Sequence, residues 1–280
     1  MSVVSVRGAA EDGGVTNSSV ELTLPASLST ERRNALLDVA ARNDREHGAD
    51  FLGMVLSGSA GRGMATAISD VDVYVILRDD EGRSTTKSTA VDEIPYTLSD
   101  LADVAPFHSD EWWFRWSFAW APILLDRTDG QLSELIRRQA TVTESEAKEI
   151  LVDHDRLDGW VNYAFRALKS DRDGRALERR LDAAESMPWL LDTIFTLAGR
   201  VRPYHKYLPW ELREHPLPDW DADTLLALLE ATLDGDPSAI RATFTRVEHL
   251  CAAFDSARPA PLLIPIIEDW GADQLSLFRE

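Results

Sequence analysis

The chain has 280 residues, 29 basic and 48 acidic side chains, and a formal net charge of -19. That length suits one large domain or two modest ones, and 44% hydrophobic residues exclude wholesale disorder. The acidity argues against nucleic-acid partners, which are gripped through phosphates, and against anionic membranes; it favours a cationic ligand.

Residues 1–20 read as a frayed leader without a signal-peptide core, at the head of a cytoplasmic protein. Ser29 or Thr30 caps a helix whose apolar positions are Leu36, Leu37, Val39 and Ala40. Phe51–Leu56 is a strand bounded by Asp50 and Ser57-Gly58. Val71–Leu77 is a second strand, with Val71, Val73, Val75 and Leu77 alternating with Asp72, Tyr74 and Ile76. A polar loop over Asp79–Lys87 precedes a third strand, Val91–Leu98, which Pro95 places near an edge. Glu111–Ala121 is aromatic and helical. Its Trp113, Trp116 and Trp120 form one stripe, for packing or as a wall for a sugar ring. Ile123–Leu125 is a short strand and Gly130–Gln139 a helix.

The pattern then turns helical. Thr143 and Glu146 form a capping box for a helix reaching about Lys169. A second helix spans Arg175–Ala198, Leu212–Trp220 is a loop, and Asp221 and Asp236 cap helices Thr224–Leu233 and Pro237–Phe254. Arg258–Pro265 is an extended tail. The single Cys251 allows no disulfide framework or Cys-based zinc site. The six His form no metal-binding set, and no apolar run approaches the roughly 18 residues of a membrane span.

The informative stretch is Leu56–Leu77, LSGSAGRGMATAISDVDVYVIL. A strand ends in Gly58-Ser59, and a Gly-rich turn containing Gly61, Arg62 and Gly63 follows; Gly58, Ser59 and Arg62 are candidate nucleotide-binding residues. Glycines let backbone N–H groups approach phosphate oxygens, and Ser59 offers a hydroxyl. Asp70 and Asp72 lie two apart, so an extended backbone puts both carboxylates on one face. A divalent cation offsets their repulsion, and Mg²⁺ favours carboxylates together with substrate phosphate oxygens. Two such ions suit in-line displacement at phosphorus. This is no P-loop, because Gly-Lys-Ser/Thr is absent. It is no dinucleotide fingerprint either, because the turn leads into a strand.

These residues resemble the signature of the polymerase-beta-type nucleotidyltransferase superfamily: Gly-Ser, a spacer of about ten residues, then Asp-x-Asp on a strand. The resemblance implies an α+β fold, with a small mixed-sheet nucleotidyltransferase domain over 21–140 and an all-helical acceptor-binding domain over 141–280. It implies Mg²⁺ (two ions), ATP or another nucleoside triphosphate as co-substrate, and a third carboxylate on the neighbouring strand. Asp92 is favoured there because it leads the set Ile94, Tyr96 and Leu98. Glu93, facing the other way, is the alternative, and Asp126 is a third choice.

In the helical half, Asp182, Glu185, Trp189 and Asp192 share a helix face by spacing. The opposite face is read as Leu177, Leu181, Ala184, Leu191 and Phe195. Glu185 is the candidate general base for an acceptor hydroxyl. Arg200, Arg202, Tyr204, Lys206 and Tyr207 cluster in a chain with only four Lys; Lys206 and Tyr207 are candidate nucleotide ligands. This plan is similar to that of bacterial aminoglycoside nucleotidyltransferases, which implies an antibiotic-modifying activity on a small, cationic acceptor. The alternatives are transfer to a protein and a non-catalytic nucleotide-binding module. The sequence sets no oligomeric state.

Overall fold

The computed structural model describes residues 20–79, 82–88 and 90–280. The leader expected over 1–20 therefore lies, but for Val20, outside the described residues. The chain divides into two compact units, Met1–Ala140 and Thr141–Glu280. Among the described residues no helix is long and apolar enough to cross a membrane.

The first unit is built on a mixed five-stranded sheet of order β3-β4-β2-β1-β5. The strands are β1 (Phe51–Leu56), β2 (Asp72–Leu77), β3 (Thr86–Lys87), β4 (Asp92–Thr97) and β5 (Ile123–Asp126). β1 is buried along its whole length, which is why it reads as an unbroken apolar run. Its neighbours β2 and β5 are antiparallel to it, while β2 and β4 run parallel. Among the described residues β3 pairs only with Asp92 and Glu93. Pro95, which has no N–H to donate, thus sits where β4 has no outer neighbour.

Helix α1 (Thr30–His47) is capped by Ser29, whose hydroxyl accepts from Arg32 N–H at 3.3 Å. It lays Leu36, Val39 and Ala40 against Phe51, Met54, Val73 and Val75 on one sheet face. A one-turn helix α2 (Gly58–Gly61) follows β1. The other face packs Leu52, Val55, Tyr74 and Ile76 against α3 (Leu98–Ala102), α4 (Gln131–Ala140) and Phe118. Phe118 ends a 3₁₀ segment, Trp112–Phe118. With three residues per turn, that segment does not bury the stripe an α-helix would. Trp112 and Trp116 are buried, while Trp113 and Trp120 are 38% and 44% exposed.

The second unit contains α5 (Glu144–Lys148), α6 (Arg156–Arg172), α7 (Ala176–Leu197), α8 (Leu208–Glu214), α9 (Ala222–Leu233), α10 (Pro237–Ser256), α11 (Ile264–Glu268) and α12 (Gly271–Arg279). The Thr143–Glu146 capping box is present, as are the Asp221 and Asp236 caps. The long helix expected from Thr143 to Lys169 is broken. A π turn over Glu149–Asp153 leads to Asp155 at φ +55°, and α6 starts afresh. The core joins Trp160, Leu190, Phe195, Val247 and a stacked Phe244–Phe278 pair with centroids 4.1 Å apart.

Helix α7 and the tail both depart from the expected pattern. Leu177 and Leu181 on α7 are 67% and 61% exposed; the buried face is Ala183, Met187, Leu190, Leu191, Ile194 and Phe195. The tail is not simply extended. The buried Asp255 carboxylate accepts N–H groups from Leu262, Leu263 and Ile264 and turns the chain into α11.

Candidate metal and phosphate site

The site grows out of the end of β1. Ser57 N–H donates to Asp72 C=O at 2.9 Å, fixing the start of the turn against the start of β2. Gly58 follows at φ +58°, in the left-handed region. A Cβ placed there would lie 2.1 Å from Asp72 Oδ2. Glycine is therefore required twice, for its backbone and for the room it leaves a carboxylate. Gly61 N–H then bonds Ser57 C=O, and Met64 N–H bonds Ser59 C=O, closing a tight loop around a half-buried Ser59.

The parallel register of β2 and β4 sets Asp72 beside Asp92. Neighbours in register share a sheet face, the face carrying Tyr74, Ile94 and Tyr96. Asp70, Asp72 and Asp92 bring carboxylate oxygens within 4.8 Å of one another. Asp70 is exposed and the other two are half-buried. Among the described residues no cation pairs with Asp70 or Asp92. Three converging, hard oxygen donors fit Mg²⁺ better than any softer metal, and the space left by Gly58 keeps Asp72 in the cluster.

Of the alternatives for the third carboxylate, Glu93 points to the opposite face. There it pairs with Arg42 and accepts from Asn43 Nδ2 at 3.3 Å. Asp126 is a turn residue, accepting from Thr128 N–H at 2.8 Å and from Thr128 Oγ1 at 2.6 Å. Glu93→Gln is accordingly expected to leave Mn²⁺ affinity within about twofold of wild type while lowering stability by about 1 kcal/mol, the worth of one charge-assisted bond. Calorimetric titration with Mn²⁺ and thermal unfolding check both halves.

Arg62, in the middle of the turn, does not face a ligand. It is 5% exposed. Its guanidinium donates to the carbonyls of Gly58, Ser117 and Ala119 at 2.9, 3.0 and 2.7 Å and lies 4.3 Å from the Trp116 ring centroid. Sequence reasoning missed the residues beneath this loop. Ser57 Oγ donates to Ser117 C=O at 2.9 Å, and the Tyr74 hydroxyl bonds Ser117 Oγ at 2.8 Å. The available signal was Ser57 itself, a buried hydroxyl after an apolar strand, which must find a partner.

In the second unit, Glu185 lies exposed on α7. Its expected companions are engaged elsewhere. Asp182 pairs with Arg166, and Asp192 pairs with both Arg156 and Arg202. Burial pushes the Asp192 carboxyl up from its ordinary value, against the pull of the two guanidiniums, and pushes Arg202 down. Arg200 pairs with the buried Glu211. The expected free cluster of cations is therefore largely internal ion pairing. Tyr207 is 4% exposed, so its ring is packed rather than offered for stacking. Lys206 is exposed, with Nζ 4.7 Å from the Tyr207 ring centroid.

No family model matches this sequence, and no curated protein does. Among solved structures, a nucleotidyltransferase-like protein from Exiguobacterium sibiricum is similar over 86% of this chain and 86% of its own. The identity is 14% and the TM-score 0.36. A likeness this faint carries no functional argument.

Proposed function

We propose that the protein transfers a nucleoside monophosphate from a nucleoside triphosphate to a hydroxyl of a small, cationic acceptor, releasing pyrophosphate. The observation that carries this reading is the Asp70, Asp72 and Asp92 triad, set against a Gly-Ser turn shaped around one of its members. Asp70, Asp72 and Asp92 would hold the Mg²⁺ ions. Bound there, Mg²⁺ supplies positive charge to the phosphoryl oxygens and to the leaving pyrophosphate. The Ser59 hydroxyl and the Ser59 and Ala60 amides receive triphosphate oxygens.

In the transfer the acceptor oxygen forms a bond to the α-phosphorus. The bond from that phosphorus to the bridging oxygen of the β-phosphate breaks, and pyrophosphate carries away the electron pair. The acceptor hydroxyl proton passes to a general base, for which Glu185 is the candidate. Glu185 is favoured because Asp182 and Asp192, the other carboxylates of its stretch, are committed to arginines. The net charge of -19 supports a cationic acceptor such as an aminoglycoside, with ATP as the first donor to try.

The test is incubation with Mg²⁺, α-labelled ATP and a panel of aminoglycosides. Label on an acceptor and stoichiometric pyrophosphate are expected; absence of both, with every nucleoside triphosphate tried, contradicts the reading. Glu185→Gln is expected to lower turnover by about 10²–10⁴-fold, the usual contribution of a general base, while nucleotide affinity stays unchanged.

A further inference from the structure

We infer that Arg62 is a positioning residue: it fixes the Gly58–Ser59 peptide plane, and the carbonyls of Trp116, Ser117 and Ala119 anchor it. The inference rests on the reading above only in naming phosphate as what the turn receives.

In a trans peptide the C=O of one residue and the N–H of the next point in opposite directions within one plane. Arg62 Nη1 holds the Gly58 carbonyl at 2.9 Å. Whatever direction that carbonyl takes, the Ser59 N–H takes the reverse. Pulling the carbonyl inward therefore turns the Ser59 N–H away from the guanidinium, and the Ser59 side chain turns with it. Gly58 at φ +58° has a shallow conformational preference of its own, so this plane needs an external anchor.

The anchor must itself be rigid. Nη2 of the same guanidinium donates to three carbonyls of one short segment: Trp116 at 3.3 Å, Ser117 at 3.0 Å and Ala119 at 2.7 Å. Its flat face covers the Trp116 ring, which is 1% exposed. That segment is bolted to both strands of the site. Ser57, at the end of β1, donates to Ser117 C=O, and Tyr74, two residues after Asp72, bonds Ser117 Oγ. A planar fork can bridge one carbonyl on the turn and several on the segment at once; a lysine ammonium cannot reproduce that geometry. The aromatic run that the sequence made conspicuous thus has a use at the site without touching substrate.

The experiment compares wild type, Arg62→Ala, Arg62→Lys and Tyr74→Phe. It uses amide hydrogen exchange over 51–77, Mn²⁺ titration, and titration with a non-hydrolysable ATP analogue in Mn²⁺. For Arg62→Ala, exchange at Gly61 and Met64, whose N–H groups bond the Ser57 and Ser59 carbonyls, is expected to accelerate about tenfold or more, with β1 and β2 amides still protected. Affinity for the analogue falls about tenfold, the worth of a well-aimed hydrogen bond to an anion, while Mn²⁺ affinity without nucleotide stays within about twofold. Arg62→Lys is expected to behave like Arg62→Ala. Tyr74→Phe shifts exchange in the same direction by less and tests the anchor should the Arg62 variants fail to fold. Wild-type affinity in Arg62→Lys would mean that charge, not the fork, matters, and would overturn the inference. So would unchanged exchange at Gly61 and Met64, or a parallel collapse of Mn²⁺ affinity and strand protection. If the wild type binds no analogue, the transfer reading fails, while the exchange arm still decides the positioning claim.

Discussion

Asp92→Asn is expected to raise the melting temperature of the metal-free protein while removing its response to Mg²⁺. In the wild type three carboxylates crowd within 4.8 Å. Without a cation each is repelled by the other two, and at this separation in a wet setting each repulsion costs about 1 kcal/mol. Neutralising Asp92 with an isostere removes two such terms and adds no cavity. A gain of about 1–2 kcal/mol corresponds to roughly 3–6 °C for a unit of this size. With saturating Mg²⁺ the order reverses, because a ligand that binds only the folded state stabilises it and the variant has lost a ligand oxygen. Transfer should fall by about 10³-fold or more, the scale of several kcal/mol of lost transition-state stabilisation. Thermal unfolding in EDTA and in Mg²⁺ reads the crossover. A lower melting temperature in EDTA would mark Asp92 as an ordinary structural carboxylate.

Gly58→Ala carries the second large effect. The residue sits at φ +58°, which costs a non-glycine residue about 1–2 kcal/mol. The new methyl would also stand 2.1 Å from Asp72 Oδ2, so either the turn or the carboxylate must move. The expected loss is about 3 kcal/mol of stability in the first unit, together with metal affinity, since displacing Asp72 opens the triad. A cycle with Asp72→Ala and the double variant separates the causes. In the Asp72→Ala background Gly58→Ala meets the backbone strain but no clash, and should cost roughly half as much as in the wild type. Equal costs in the two backgrounds would show that no clash exists.

These effects were legible in the sequence because the chemistry there is local. Strand, Gly-Ser turn and Asp-x-Asp lie within one stretch of chain, and alternation alone put Asp92 on the face of Ile94 and Tyr96 and Glu93 on the other. Caps at Ser29, Thr143, Asp221 and Asp236 were readable for the same reason: each needs only its next few residues.

What was hidden depends on partners distant in sequence or on winding. Arg62 sits in the middle of the signature, yet its carbonyl partners at 116–119 lie more than fifty residues on. Arg200 and Arg202 looked free because their carboxylates, Glu211 and Asp192, come from other elements. The π turn at Glu149–Asp153 and the 3₁₀ turn at Trp112–Phe118 changed the residues per turn. A 3.6-residue ruler then continued a helix through Asp155 and grouped the wrong tryptophans. On α7, Leu177 and Leu181 obeyed the period but ended exposed, because hydrophobicity on a helix face does not say whether the fold covers it.

The central claim is that Asp70, Asp72 and Asp92 form a divalent-cation site completed by a nucleoside triphosphate. Its most direct test is titration of the full chain with Mn²⁺, followed by electron paramagnetic resonance, with and without a non-hydrolysable ATP analogue. Saturable Mn²⁺ binding that the analogue tightens by about tenfold or more is expected, with loss of both in Asp70→Asn. Mn²⁺ binding that is absent, indifferent to the analogue, or unchanged in Asp70→Asn would contradict that claim.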